Sequence, residues 1–235
     1  MNIKILHMIE GAKQATGCAV IIDVFRAFTV EVYLMNNGAD KIIPVGEKQI
    51  AYDLKKDNSN YVLIGERHGV VLPGFDYGNS PSQIENVDFS NKTIVHTTSA
   101  GTQGIANADN ATEILTGSLV NAKAIAEYIK RNDFEEVSLV CMGYAGARPA
   151  AEDELCAEYI KRVLEGSEFP DFKLRVAALL NSGGKHFFDK TRQDIFPQDD
   201  FWMCTRYNRF PFVIQIEKDD YGFVGRKISV QLAEY

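Results

Sequence analysis

Short apolar runs recur along the first two-thirds of the chain. Residues 18–24 (CAVIIDV), 41–45, 61–64, 93–97 and 137–142 are rich in β-branched side chains and lack the strict in–out alternation of a half-exposed strand. Such strands are expected to be buried on both faces, as in a parallel sheet covered by helices. Helical patterns separate them. Residues 27–36 lead into Asn37-Gly38, a suitable left-handed C-cap, and residues 47–55, 121–130 and 151–164 follow. In the last of these, Leu155, Tyr159, Ile160 and Val163 form one apolar stripe. Strands alternating with helices predict an α/β fold with a mostly parallel sheet flanked by helices. Nearer the end, residues 212–216 and 222–230 flank Glu217-Lys218-Asp219-Asp220-Tyr221 and predict a hairpin. The strand–helix pattern repeats on either side of Gly117-Ser118. It suggests two α/β subdomains, 1–117 and 118–235, with the active site in the cleft between them.

Composition narrows the class. Of 235 residues, 46% are hydrophobic, enough for a sizeable core. The net charge of -7 disfavours nucleic acid as a partner, although a few converging cations would suffice for a small anion. No apolar run approaches the ~20 residues of a membrane span. The first six residues, MNIKIL, carry no long apolar signal core, so a cytoplasmic location is expected. Cys18, Cys141, Cys156 and Cys204 form no C-x-x-C pair and read as reduced thiols, with Cys141 and Cys156 in apolar, core-like surroundings. The four histidines show neither H-x-x-x-H nor H-E-x-x-H spacing.

Ligands of open α/β sheets bind outside the carboxyl ends of the strands, so the polar residues following each apolar run are the candidates. These are Asp23 and Arg26; Gly65, Glu66 and Arg67; Thr97, Thr98, Ser99 and Gly101; and Gly143, Gly146 and Arg148, followed by Glu152-Asp153. Each has a plain structural alternative. Asp23 suits a helix cap or an ion pair with Arg26 as well as a metal ligand or catalytic carboxylate. Arg26 could clamp an oxyanion through its planar fork or neutralise Asp23. Glu152-Asp153 suit a helix first turn on dipole grounds alone. Residues 65–81 (GERHGVVLPGFDYGNSP) hold four glycines, which argues against a long regular element, and enough apolar side chains to argue against disorder. Pro81 suits the first position of a helix, whose free N–H groups could receive an anion beside Asn79 and Ser80. His68 lies in the same loop; His96, ending an apolar strand, suits a structural role.

Taken together, these segments resemble the 2-phosphosulfolactate phosphatase family. Asp23-Val24-Phe25-Arg26-Ala27 is similar to its D-V-L-R-A segment. Gly65-Glu66-Arg67 and residues 74–81 (GFDYGNSP) are similar to its G-E-R…G-F-D-x-G-N-S-P signature. Residues 97–102 are similar to T-T-x-N-G-T, and Gly117-Ser118 with Asn121-Ala122 to G-S-x-x-N-A. Residues 141–146 with Glu152-Asp153 resemble C-x-G-x-x-G…E-D. The resemblance implies a magnesium-dependent phosphatase that releases phosphate from 2-phosphosulfolactate for coenzyme M synthesis, on its own α/β fold, with a homodimer as the default assembly. It points to Asp23 and Asp153 on the Mg²⁺ side and to Glu66 or Asp76 as general acid or base. Arg26, Arg67, His68, Asn79, Ser80, Thr98, Gly101 and Arg148 would bind the substrate. Direct attack by water and a covalent intermediate on Asp23 both stay open. Three departures bear on the substrate: Phe28-Thr29-Val30 replaces a hydroxyl-rich stretch, Ala100 replaces an Asn, and Ala150 a Ser. They suggest either a related phosphorylated hydroxy acid or, in another class, an anion-binding protein without turnover.

Overall fold

The computed structural model describes residues 1–219 and 222–232. Ten strands form one sheet: β1 (Asn2–His7), β2 (Gly17–Ile22), β3 (Lys41–Pro44), β4 (Val62–Arg67), β5 (Val70–Val71), β6 (Thr93–Thr97), β7 (Ala111–Gly117), β8 (Glu136–Cys141), β9 (Phe212–Asp219) and β10 (Gly222–Ser229). The helices are α1 (Met8–Gln14), α2 (Ala27–Asn36), α3 (Lys48–Asp57), α4 (Pro81–Ile84), α5 (Gly101–Asn107), α6 (Ala122–Arg131), α7 (Ala151–Glu165), α8 (Phe172–Ala178) and α9 (Gln198–Thr205). This is the expected α/β architecture. No helix among the described residues is long and apolar enough to cross a membrane.

The strand order is β1-β8-β2-β7-β9-β10-β3-β6-β4-β5. β1, β8, β2 and β7 run parallel, as do β3, β6 and β4. The β9–β10 hairpin joins these two parallel groups, antiparallel to β7 on one side and to β3 on the other. The sequence pattern for this hairpin is met in both strands, while Asp220 and Tyr221 of its turn lie outside the described residues. The sheet does not follow chain order. β8, which comes after Gly117-Ser118, lies between β1 and β2, which come before it.

The uninterrupted apolar runs are explained by burial on both faces. In β2, Ala19 and Ile21 pack into a core shared with α2 and α5, whereas Cys18, Val20 and Ile22 pack into a second core with α6 and α7. A third, smaller core joins Ile43, Leu63 and Val95 to Ala51 of α3. Residues Ala27 through Met35 of α2 are all buried, as befits a helix with little polar surface. Ile214 is fully buried in β9, on the seam between the two parallel groups. Truncating it removes packing at that seam. Ile214→Ala is therefore expected to lower unfolding stability by roughly 2–5 kcal/mol in chemical denaturation; a change under about 1 kcal/mol would show that the seam is not held by packing.

Candidate active site

A cavity of about 500 Å³ opens at the carboxyl ends of β2, β4, β6 and β8. Asp23 and Arg26 enter from the loop after β2, Glu66 from the end of β4, Ser99 and Ala100 from the loop after β6, and Gly143, Arg148 and Asp153 from beyond β8. β2 and β6 are five places apart in the sheet, about 24 Å sideways if it were flat, and run in opposite directions, so their carboxyl ends would also lie at opposite edges. Yet Gly101 N–H donates to Asp23 Oδ2 at 2.9 Å. The coil of the sheet and its loops therefore bring the two parallel groups together at this point.

Main-chain N–H groups hold the carboxylates. Asp23 Oδ1 accepts from Ala27 N–H at 3.2 Å. Asp153 accepts from Val24 N–H at 2.9 Å and Gly143 N–H at 2.8 Å. Glu66 accepts from Ser99 N–H at 2.8 Å and Gly69 N–H at 2.6 Å. The last bond depends on a tight hairpin between β4 and β5. Its two loop residues, His68 (φ 55°) and Gly69 (φ 83°), are both left-handed, as a type I′ turn requires. Glu152, buried in the same wall, has no hydrogen-bond partner at Oε2. It packs so tightly on Gly183 that a Cβ there would lie 1.9 Å from Oε2.

These carboxylates are not neutralised by ion pairs among the described residues. Burial, reinforced by the Glu66 charge, raises Asp23 to about 6 despite the bonds from Ala27 and Gly101. Burial raises Glu152 to about 7, with the Asp23 charge adding to the effect. Burial, then the charges of Asp23 and Glu152, push Asp153 well above the ordinary carboxylate range. Phe25, Phe196 and His186 also line the cavity. His186 is lowered to about 4 by burial first and by the Arg26 charge second, so it is neutral at pH 7.

The sequence candidates divide by position. Asp23, Arg26, Glu66, His68, Asn79, Arg148 and Asp153 line the cavity. Arg67, Asp76, Ser80, Thr98 and Gly101 do not. Arg67 donates to Gly46 O, Glu66 O and Thr97 Oγ1 and ties three segments together. Asp76 accepts from Leu63 N–H and pairs with Lys55. Thr98 and Thr102 bond to each other across the start of α5. Gly101 acts from behind Asp23. Asn79 Oδ1 lies 3.3 Å from His96 Nε2, whose Nδ1 lies 2.9 Å from Glu31, a buried chain that supports the cavity wall. Of the three departures, Ala100 and Ala150 line the cavity, but Phe28 is fully buried in the core beneath Gly101 rather than at the site edge.

The last third supplies residues that the motifs do not contain. Arg26 Nη1 donates to Asp200 Oδ2 at 2.6 Å and to Ile195 O at 3.0 Å, and its guanidinium lies 4.9 Å from the Phe196 ring centroid. Asp200 Oδ1 accepts from Ser80 Oγ, Ser82 N–H and Ser82 Oγ. The anion held at the start of α4 is thus the chain's own Asp200. Acidic residues in the first turn of a helix, which the sequence does show at Asp199-Asp200, are too common to have identified it.

A sequence model of the 2-phosphosulpholactate phosphatase family matches residues 4–219. Several curated relatives bear the name probable 2-phosphosulfolactate phosphatase. That of Bacillus subtilis (strain 168) is 31% identical over 204 residues, covering 85% of this chain and 87% of its own. That of Thermoplasma volcanium is 34% identical over 166 residues, covering 70% and 76%. That of Clostridium tetani is 37% identical over 166 residues, covering 68% and 70%.

Two outcomes follow for stability. Asp200→Ala leaves the Arg26 guanidinium buried without its counter-charge and is expected to cost roughly 3–5 kcal/mol in denaturant unfolding. The second concerns pH. A carboxyl whose pKa is higher folded than unfolded stabilises the fold while protonated in both states, and that contribution is lost as pH rises through the folded value. For Asp23 and Glu152 the window runs from about 4 to about 7. In the presence of a chelator the melting midpoint should fall across this window, and less steeply in Glu152→Gln. Equal slopes for the two proteins would contradict the assignment.

Proposed function

We propose that this chain, which belongs to the 2-phosphosulfolactate phosphatase family and so among the phosphoric monoester hydrolases, hydrolyses 2-phosphosulfolactate or a closely related phosphorylated hydroxy acid with the help of Mg²⁺. The observation that carries the metal requirement is electrostatic. Asp23, Glu66, Glu152 and Asp153 face one cavity, and the guanidinium of Arg26 is already committed to Asp200. The N–H groups of Val24, Gly69, Ser99, Gly101 and Gly143, which might otherwise cradle a phosphate, are taken by the chain's own carboxylates. A multiply charged anion would be repelled from such a cavity unless a cation entered with it. The oxygen-rich donor set suits a hard divalent ion.

Asp23 and Asp153 would hold the metal, each kept rigid by two main-chain N–H groups. When bound, the ion would neutralise phosphate charge and polarise the ester for attack. Arg148, exposed at the rim and resting 4.8 Å from the Tyr144 ring centroid, is placed to receive the sulfonate or carboxylate of the substrate. His68 borders the same opening. Water would form the new P–O bond, the ester P–O bond would break, the departing alkoxide oxygen would take a proton from an enzyme acid, and the proton shed by the water would restore that acid. Glu152, with its carboxyl raised toward neutrality, is our candidate for that acid. Asp76 lies outside the cavity and takes no part in this scheme. The rings of Phe25, Phe196 and His186 would limit water in the cavity.

The reading is tested by steady-state hydrolysis of 2-phosphosulfolactate and a set of phosphorylated hydroxy acids. Turnover is expected with Mg²⁺, none with EDTA, and a fall in kcat of roughly 10²-fold or more in Glu152→Gln. Asp23→Asn should abolish the response to Mg²⁺. Unchanged rates in EDTA and in Asp23→Asn would sink the metal–carboxylate scheme. Tight binding of the esters without release of phosphate would replace hydrolysis by simple anion binding.

A further inference from the structure

A different set of donors meets beyond the cavity wall. β1 and β8 pair in parallel with His7 directly opposite Cys141, each the last residue of its strand. Glu154 projects from the first turn of α7, the helix that follows β8 and packs on it. His7 Nε2 lies 3.0 Å from Glu154 Oε1. The nitrogen of His7, the sulfur of Cys141 and an oxygen of Glu154 all lie within 4.8 Å of one another. Among the described residues this is the one trio of histidine, cysteine and acidic side chains that meets so closely.

The geometry suits a small tetrahedral ion. Zinc bonds of about 2.0–2.3 Å place neighbouring ligand atoms about 3.3–3.8 Å apart, so the trio needs only a modest contraction. The donors are one nitrogen, one sulfur and one oxygen, a borderline set that favours zinc-type ions over magnesium. The cavity carboxylates offer oxygen alone. Access is open on the outer side, where the side chains of His7 and Glu154 are 44% and 37% exposed, while Cys141 closes the inner side. His7 sits just ahead of α1 without a side-chain capping bond, so its ring is not committed to the helix. The backbone is set as well: strand pairing fixes His7 against Cys141, and Asp153, anchored by Val24 and Gly143, fixes the turn that carries Glu154.

We propose that His7, Cys141 and Glu154 form a second metal site, for a zinc-type divalent ion, with water as the fourth ligand. On binding, the S–H bond of Cys141 breaks, a metal–sulfur bond forms, and the proton leaves to solvent. The thiolate and the Glu154 carboxylate together balance the two positive charges of the ion. Asp153 and Glu154 are consecutive, so the first turn of α7 would serve a hard ion on one side and a softer one on the other.

Cobalt(II) is the probe, added to the metal-stripped full chain in excess Mg²⁺ so that oxygen-only sites are filled. The expected result is a thiolate-to-cobalt charge-transfer band that saturates at one ion per chain and disappears in Cys141→Ser. Cys18, Cys156 and Cys204 are buried and remain in that variant as internal controls. His7→Ala and Glu154→Gln, both at partly exposed positions, should weaken cobalt binding by at least about tenfold. No band in the wild-type protein overturns the proposal. So does a band of full strength in Cys141→Ser, or unchanged affinity in both His7→Ala and Glu154→Gln. Should Cys141→Ser fail to fold, the wild-type band and the two exposed variants decide the matter.

Discussion

Asp23 and Asp153 are each gripped by two main-chain N–H groups, and neither has an ion pair among the described residues. That arrangement organises the rest of the molecule. Val24 N–H reaches from the loop after β2 to a side chain on α7, and Gly101 N–H reaches from the start of α5 back to the loop after β2. The four bonds therefore pull together three loops that leave different strands. Neutral N–H donors orient a carboxylate without cancelling its charge, so the geometry is fixed while the repulsion with Glu66 and Glu152 remains. The cost of holding these carboxyls together appears as the raised pKa values of Asp23, Glu152 and Asp153. The same N–H donors are occupied and so are not available to a phosphate.

A second hub, Asp200, connects parts of the chain far apart in sequence. One oxygen takes Arg26 and the other takes three donors from Ser80 and Ser82. The family's most specific stretch, residues 74–81, is thereby seated on α9, and Arg26 is drawn across the face of Phe196. Asp200 thus braces Arg26 and the start of α4 together. Arg26 has its guanidinium used for construction. Arg148, by contrast, stays exposed at the cavity rim.

Much of the architecture was legible in the chain because β2, β6 and β8 are buried on both faces and read as continuous apolar runs. That Asp23 and Asp153 would meet was legible for a related reason: each follows such a run, and β2 and β8 are parallel and end on the same side. Glu66 ends a strand of the other group, which runs the opposite way, so its arrival beside them depends on the coil of the sheet and leaves no trace in the sequence. Other features leave no local trace. The place of the hairpin at the centre of the sheet depends on which edges remain unpaired, not on any pattern within residues 212–229. Arg67 and Arg26 look alike as arginines after a strand, yet one grips the carbonyl of Gly46 and the other a buried aspartate 174 residues away. Asp200, Phe196 and His186 come from short helices and turns whose periodicity is too brief to read. Glu152 looked like an ordinary first-turn acid; its partnerless oxygen and its contact with Gly183 exist only in three dimensions.

The position of the β9–β10 hairpin bears on how the chain is made. All the strands of both parallel groups emerge from the ribosome before residue 212, yet β7 and β3 find their inner neighbours only when the hairpin arrives. Until then the nascent chain carries two open, apolar strand edges, the kind that pair with whatever edge is nearest. A premature stop shortly before the hairpin would remove little more than a tenth of the residues and leave the sheet without its middle.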